Sequence, residues 1–442
     1  MRRRGAISGL AVVVLLATTA ACGDDRDGRA RANAPVTTHS SSPSTEITGS
    51  TDVTETSGVA TSEPIAHSAD GVLTIGTLLP STGPGNEIGI AGLNAVNVGV
   101  TTINDDGGVL GNPVRLFNAS EGVTPDETRA GTTMLLDNNV DAIIGPASSL
   151  VALEVLDELM AAGVVVCSPT ATALSLNDYP DRDLFFRTIP SDSLSAQAMA
   201  VFAANTGVLS YAVVYLDDQF GRPFAHAAMN RLARDDDLTI HDRPFASDAT
   251  PEQLAVLATE LAELAPRTVL LIADSEHGWA MLQAMSEVFA TDPPDIFVND
   301  ALRDPPSNSV VADLPAEFRE AIHGVSPGVP PAASSEPVGA FATNSVDCLN
   351  LLALAAVTAG TDDPVEIADE MVDLTVAGSL CNSFAQCRNI AEQDRTINYQ
   401  GANSIDLSER GDPTRGPFGT FSFDTTGLAI PGSGGTITEL DG

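Results

Sequence analysis

From Gly71 onward, short apolar segments alternate with longer amphipathic ones. The apolar runs GVLTIGTLLP, PVRLFNAS, DAIIG and VVVCSP predict strands. The segments between them have apolar residues at i, i+3 and i+4 and predict helices: GIAGLNAVNVGVTTIND, PDETRAGTTMLLDNN and SLVALEVLDELMAAG. Strands this apolar are typical of parallel sheets that are buried on both faces. The pattern therefore predicts an α/β fold.

The alternation restarts after DLFFRTIPSD. Predicted helices are LSAQAMAVFAANTG, FGRPFAHAAMNRLARD, PEQLAVLATELAELAP and HGWAMLQAMSEVF, and predicted strands are SYAVVYLDD, LTIHDRPFAS, TVLLIAD and PDIFVND. A Pro-rich crossing, IHGVSPGVPPAASSEP, then leads to one long helix, VGAFATNSVDCLNLLALAAVTAG. A chain of this length divides sensibly into two α/β lobes of similar size.

The N-terminal segment has the pattern of a targeting signal. MRRRG is basic, AISGLAVVVLLA is apolar but short, and small residues precede Cys22. Residues 1–21 resemble a lipoprotein signal peptide, with Cys22 as the lipidated residue; plain secretory cleavage near Ala20 and Ala21 is the alternative. Residues 22–70 are Ser/Thr-rich with few large apolar residues, and we expect a disordered tether. The protein is thus expected outside the cytoplasm, held at the membrane by the lipid alone.

The charged residues exclude several function classes. The chain has 21 basic residues, all Arg, against 59 acidic ones, for a net charge of −38. Without Lys there is no Walker phosphate-binding loop and no Schiff-base chemistry. The excess of acid argues against nucleic acid and anionic lipid surfaces as partners. No cofactor is predicted.

The cysteines beyond Cys22 divide into two groups. The spacing of CNSFAQC is too wide for a CxxC site, and in an exported protein a local Cys381–Cys387 disulfide is favoured. Cys167 and Cys348 lie in apolar contexts and are expected to be buried small hydrophobic residues.

Small polar residues follow four predicted strands, where ligands bind in open α/β sheets. The stretches are 80–83 (PSTG), 145–149 (GPASS), 168–172 (SPTAT) and 299–300 (ND). Ser148 and Ser149 begin a predicted helix, whose free N–H groups attract an anion. Each hydroxyl taken singly is an N-cap candidate, whereas together they form a surface of donors suited to a carboxylate. Ser148 is interpreted as cap and ligand group together.

Catalytic patterns are weak in this chain. GPASSL is not G-x-S-x-G, no strand end offers a His placed to activate a serine, and HExxH is absent. We therefore expect neither an enzyme nor a metal site.

Several stretches carry a family resemblance: INDDGGVLGNPVRL, DAIIGPASSLVALEV, VVVCSPTATALSLND, FFRTIPSD, YLDDQFGRPF and AFATNSVDCLNLLALAA. They resemble the branched-chain amino-acid-binding family, which are type I periplasmic solute-binding proteins of ABC transporters. The resemblance implies two Rossmann-like lobes with parallel sheets and a multi-strand hinge. Lobe 1 would comprise 71–190 plus about 325–410, and lobe 2 would comprise 191–324 plus about 411–442.

The resemblance also implies roles for individual residues. Ser149 aligns with the serine that binds the ligand carboxylate, and Ala171 and Thr172 align with contacts to carboxylate and ammonium. Asp300 aligns with the acid that pairs with the ammonium. Phe220 replaces the usual Tyr lid, and Glu276 is either a second acid or exposed.

The implied ligand is a small zwitterionic solute (a branched-chain or other amino acid, or an amide), and the implied partners are ABC permease subunits. A monomer is expected. A sensor that signals to a partner protein is the alternative.

Overall fold

The computed structural model describes residues 69–83, 85–205, 207–234, 238–303, 305–328, 339, 341–401 and 404–438, without the side chains of 433–438. The predicted signal peptide, Cys22 and the tether up to residue 68 lie outside the described residues. All described residues belong to one compact unit, 61–442.

The first series of elements builds a parallel sheet. Its strands are β1 (Thr74–Leu79), β2 (Arg115–Ser120), β3 (Ala142–Ile144), β4 (Val165–Ser168) and β5 (Phe185–Arg187). Its helices are α1 (Asn86–Asp105), α2 (Pro125–Asp137) and α3 (Ser149–Ala162), with a 3₁₀ turn at Leu174–Leu176. The strand order is β2-β1-β3-β4-β5. All pairings in it are parallel.

The second series follows directly. It comprises α4 (Asp192–Ala204), β6 (Ser210–Leu216), α5 (Gly221–Leu232), β7 (Thr239–Phe245), α6 (Pro251–Leu264), β8 (Thr268–Ile272), α7 (Ser275–Val288), β9 (Asp295–Val298), a 3₁₀ turn at Asp300–Arg303, α8 (Asn308–Ala312), α9 (Ala316–Glu320) and β10 (Ile322–Pro327). Helix starts follow local chemistry: α6, for example, has a capping box between Thr250 and Gln253, with Pro251 in its first turn.

The remaining elements return to both sheets. They are α10 (Ala342–Ala359), α11 (Pro364–Met371), α12 (Asp373–Val376), β11 (Ser379–Cys381), α13 (Phe384–Ala391), β12 (Ile397–Tyr399), β13 (Arg415–Phe423) and β14 (Ala429–Thr438). The second sheet has seven strands in the order β14-β13-β10-β9-β8-β6-β7, and β11 pairs with β12 in a small separate sheet. The predicted α/β class with parallel sheets is confirmed.

Two features of the second sheet differ from the sequence interpretation. The segment predicted as a Pro-rich crossing begins with strand β10, which is parallel to β9 and antiparallel to β13. Gly324 permits this pairing, because a Cβ there would lie 1.9 Å from the ring of Phe421. Strands β13 and β14 form an antiparallel hairpin that the sequence reading did not assign.

Helix α10 belongs to the core of the first sheet. Its residues from Cys348 to Ala356 are buried together with β3 and β4. It is the one helix in the described part of the chain that is long and apolar enough to cross a membrane, and most of it is buried, as in a core helix of a folded domain.

The cysteines form two disulfides. Cys381 and Cys387 are bonded with their Cα atoms 5.3 Å apart, which is the pairing that their spacing favoured. Cys167 and Cys348 are also bonded, with their Cα atoms 5.7 Å apart. Both are buried, as expected, but the sequence did not predict the bond between them: β4 packs against α10 and brings together cysteines that are 181 residues apart.

Candidate functional site

The loops that follow β3 and β4 are bonded to each other at the carboxyl edge of the first sheet. The Ser168 hydroxyl donates to the Pro146 carbonyl at 2.6 Å and accepts from the Ala171 N–H at 3.0 Å. The Thr170 hydroxyl donates to the Ala147 carbonyl at 2.7 Å. The two stretches predicted as ligand loops therefore form one continuous surface.

Gly145 allows the first of these loops to turn closely over β1. Its φ is 117°, and a Cβ there would lie 2.1 Å from the Leu78 carbonyl oxygen. A side chain would be excluded both by this contact and by the backbone conformation. The Gly145 N–H donates to the Cys167 carbonyl at 2.9 Å, which ties the loop to β4.

Ser148 and Ser149 have different positions at the start of α3. Ser148 is the N-cap, and its hydroxyl accepts from the Val151 N–H at 3.5 Å. Ser149 is the first helical residue, and its hydroxyl accepts from the Ala173 N–H at 3.2 Å. A hydroxyl that accepts can still donate its own hydrogen, so Ser149 keeps a donor for a ligand oxygen. The ligand roles of both serines remain predictions.

An anion at this helix start is supplied by the protein itself. Glu121, directly after β2, accepts from the Ala147 N–H at 2.8 Å and from the Ser148 N–H at 3.3 Å. Burial raises the pKa of this carboxyl, and the two N–H donors partly oppose the shift. A ligand carboxylate would therefore have to use donors beyond these two amides. The sequence reasoning missed Glu121, although an acid directly after a strand was a signal that could have found it.

Ala171 and Thr172 lie on the second loop. Ala171 is fully buried, its N–H is bonded to Ser168, and its carbonyl accepts from the Arg187 guanidinium at 3.4 Å. Thr172 is half-buried, and its carbonyl accepts from the Asp192 N–H at 2.8 Å. Ala171 could offer a ligand only its backbone groups, whereas Thr172 also carries a hydroxyl. Both assignments stay predictions.

Asp192 is a second residue that the sequence reasoning missed. It is the first residue of α4 and is buried, and its carboxyl is hydrogen-bonded by the Thr172 side chain. Burial raises its pKa to about 8, and the charge of Asp300 adds to this, whereas the Thr172 bond and the Arg187 charge oppose it. The acid at the start of the predicted helix, in IPSD, was a signal that could have found it.

Asp300 lies after β9 in the second sheet, within electrostatic range of Asp192. Asp300 is half-buried, and its removal from solvent raises its pKa. Hydrogen bonds from its own backbone N–H and from the Ala301 N–H oppose this shift, as does the charge of Arg303. Two carboxyls with raised pKa values therefore lie in this region, and the charge of Asp300 is close enough to raise the pKa of Asp192, which is bonded to the Thr172 side chain. A ligand cation between them would offset both the burial and the mutual repulsion.

Phe220 and Glu276 lie on the second-sheet side. Phe220 is the N-cap of α5; its ring is 5.8 Å from that of Phe224, and it packs against the core. Glu276 is exposed in the first turn of α7, where a negative charge suits the helix dipole. Its neighbour His277 contacts the Asp274 carboxylate at 2.7 Å. Burial lowers the pKa of His277, but Asp274, the Ser247 carbonyl and the Glu276 charge together raise it by more, so the pKa is raised overall. The lid role of Phe220 and the ligand role of Glu276 remain predictions.

The Arg187 guanidinium, which donates to the second loop, is bonded to protein groups. Arg187 is buried and bonded to the Asp412 carboxylate at 2.6 Å and to the Asn177 side chain at 2.7 Å. It also donates to the Ala173 carbonyl at 3.2 Å. Arg187 therefore braces the second loop and is paired with a protein carboxylate.

A groove of about 580 Å³ lies elsewhere, on the outer face of the second sheet between α6, α7 and α8. Its lining includes Leu254, Ala280, Gln283, Val310 and Leu314, and none of the predicted site residues. Its chemistry offers no cluster of groups comparable to the loops described above.

Comparisons with known proteins agree with this architecture. A family model described as periplasmic binding protein matches residues 72–308. The substrate-binding protein BasB of a chemotactic signal transduction system in Halobacterium salinarum is 25% identical over 373 residues, which cover 78% of this chain and 85% of that protein. The Leu/Ile/Val-binding protein BraC3 of Rhizobium johnstonii is 36% identical over 113 residues, 26% of this chain and 30% of that protein.

Solved structures show the same fold. An ABC transporter substrate-binding protein from Desulfitobacterium hafniense, complexed with Leu, superposes with a TM-score of 0.62 at 20% identity. The match covers 81% of this chain and 99% of that one.

Proposed function

The chain belongs to the periplasmic binding protein family, and on that premise we propose that it is the extracytoplasmic binding component of an ABC importer for a small zwitterion such as a branched-chain amino acid. Membership of this family implies a location outside the cytoplasm. A lipid anchor at Cys22, a monomeric state and permease subunits as partners are parts of the same proposal.

The proposal rests mainly on how charge is distributed in the site, with neutral hydrogen-bond donors on one side and carboxyls on the other. Asp192 and Asp300 supply two carboxyls for a ligand ammonium, beside the Thr172 hydroxyl. The Ser149 hydroxyl lies next to the same loop, because it accepts from the Ala173 N–H, and it keeps its own hydrogen as a neutral donor. Neutral donors on one side and acids on the other suit a ligand that carries one negative and one positive group.

The same groups disfavour a dianionic ligand. Glu121 already occupies the amides of Ala147 and Ser148, and Arg187 is paired with Asp412. A second ligand carboxylate would lie near Asp192 and Asp300 and would be repelled. Dicarboxylates and phosphates are therefore expected to bind weakly.

A second function is favoured by one relative. BasB is described as part of a chemotactic signal transduction system, and its similarity spans most of both chains. The present chain could accordingly report its ligand to a receptor instead of a permease, with the same binding site.

The test is calorimetry on the protein expressed from Gly23 onward, so that lipidation does not intervene. L-leucine should give saturable binding, while its analogues 3-methylbutylamine, without the carboxylate, and 4-methylpentanoate, without the ammonium, should each bind at least ~30-fold more weakly, about 2 kcal/mol. An analogue that binds as tightly as leucine would refute the zwitterion site. Mass spectrometry of the recovered ligand separates binding from catalysis, because a changed product would indicate an enzyme.

A further inference from the structure

We infer that the Cys167–Cys348 disulfide supports the ligand site from outside it. The bond holds two parts of the structure in the geometry needed for binding: strand β4, which lies beneath the two binding loops, and the segment between β5 and α4, which leads into the second sheet. This inference rests on the proposed function. Cys167 lies on β4, which leads into the second binding loop, and neither cysteine is among the residues assigned to ligand contact.

One end of the bridge supports the binding loops. Cys167 lies on β4 between Ile144 of β3 and Phe186 of β5. Its carbonyl accepts from the Gly145 N–H at 2.9 Å, at the start of the first loop. The next residue is Ser168, whose hydroxyl bonds both loops together. A shift of Cys167 would therefore be passed to both loops.

The other end lies beside the passage into the second sheet. The Cys348 sulfur is 3.5 Å from the Thr188 hydroxyl, which donates to the Asn344 carbonyl at 2.9 Å. The Asn344 side chain donates back to the Thr188 carbonyl at 2.8 Å, and the Thr188 N–H donates to the Ser168 carbonyl at 3.1 Å. Thr188 precedes Asp192 by four residues. The bridge thus joins the support of the loops to the segment that carries an acid of the site.

The burial of both cysteines indicates how the Cys167–Cys348 disulfide supports the site. Both cysteines are fully buried, so the bridge acts through packing and is shielded from soluble reductants. Its loss would leave β4 and α10 in place through the apolar core but would loosen the hydrogen bonds at Gly145, Ser168 and Thr188. A site that must be ordered on binding binds more weakly than one that is already ordered.

The second disulfide provides a matched control. Cys381 lies on a strand and Cys387 on a helix, as Cys167 and Cys348 do, but they are only six residues apart and close a local loop. The variants to compare are C167V/C348A and C381V/C387A, since Val suits the strand position and Ala the helix position in both pairs.

Two measurements test the inference. By calorimetry, C167V/C348A should bind L-leucine about tenfold more weakly than the wild type, whereas C381V/C387A should match the wild type. By hydrogen exchange on the ligand-free protein, the amides of Gly145 and Ala171 should exchange faster in C167V/C348A and at the wild-type rate in the control.

The outcomes distinguish a failure of the proposed function from a failure of the inference about the disulfide. If the wild type binds no leucine, the proposed function fails, and the exchange comparison still decides the inference. Unchanged exchange, or an equal loss of affinity in both double variants, would overturn it. Failure of both C167V/C348A and C167S/C348S to fold would also overturn it, because the bridge would then be required for the whole fold.

Discussion

Replacing Asp192 with Asn should stabilise the ligand-free protein and weaken ligand binding at the same time. The pKa of Asp192 is raised from 3.8 to about 8, chiefly by burial and then by Asp300. At pH 7 the folded protein therefore holds a proton that the unfolded chain has released. Because pH 7 lies about three units above the ordinary pKa of 3.8 and below the raised pKa, keeping this proton lowers the free energy of unfolding by at most ~4 kcal/mol.

Asn keeps a polar group for the Thr172 bond and has no charge to bury. We expect the free energy of unfolding of D192N at pH 7, measured by chemical denaturation, to rise by about 2–4 kcal/mol. L-leucine affinity should fall by at least ~2 kcal/mol, because the buried ammonium loses one partner. In the wild type, ammonium binding should also expel the Asp192 proton. Calorimetry in buffers of different ionisation enthalpy should show nearly one proton released per ligand at pH 7, and D192N should lose this release.

Asp141 provides the control. Burial raises its pKa to about 7, and its carboxylate accepts from the Thr74 N–H at 2.7 Å, at the amino end of the first sheet and opposite the site. D141N should therefore stabilise the protein without changing leucine affinity or proton release. The reasoning about Asp192 is refuted if D192N binds leucine as tightly as the wild type and releases the same number of protons.

Three further predictions concern the ligand site and the two buried acids Asp141 and Asp192. D300N should lower leucine affinity by over ~2 kcal/mol through loss of an ammonium partner, and an unchanged dissociation constant in calorimetry would count against Asp300. S149A should weaken leucine by ~1–3 kcal/mol but leave a carboxylate-free analogue unaffected, and equal losses for both ligands would remove the assigned role. The thermal stability of the ligand-free protein should fall as pH rises from about 4 to about 8, because over this range the unfolded chain has lost the protons of Asp141 and Asp192, whereas the folded protein, in which their pKa values are raised to about 7 and about 8, still holds them; above about pH 8 the fall should level off. A melting temperature that rises over this range would contradict that assignment.

Much of the fold could be predicted because the apolar strands and amphipathic helices are unambiguous up to about residue 300. The remaining strands, β10, β13 and β14, depend on tertiary contacts that the local sequence pattern does not show. Strand β10 ends in Pro327 and is followed by a Pro-rich segment, so its pattern resembled a loop; β9, β13 and the close approach of Phe421 to Gly324 make it a strand. The hairpin of β13 and β14 is rich in Gly and Pro, which obscures its alternation.

The site could be located more easily than its chemistry could be assigned. Strand ends pointed to Ser149, Thr172 and Asp300, because parallel strands bring their carboxyl ends to one edge. Glu121 and Asp192 were missed, because their roles arise from burial against partners distant in sequence. The Cys167–Cys348 pairing was missed for the same reason, since local sequence cannot show that β4 packs against α10, whereas the close spacing of Cys381 and Cys387 pointed to their local bond.

The most direct test of the central claim is a crystal structure of the protein with L-leucine bound. We expect the leucine carboxylate within hydrogen-bonding distance of the Ser149 hydroxyl, and its ammonium between the carboxylates of Asp192 and Asp300. A leucine molecule bound away from these residues, or bound with its carboxylate toward the two acids, would contradict it.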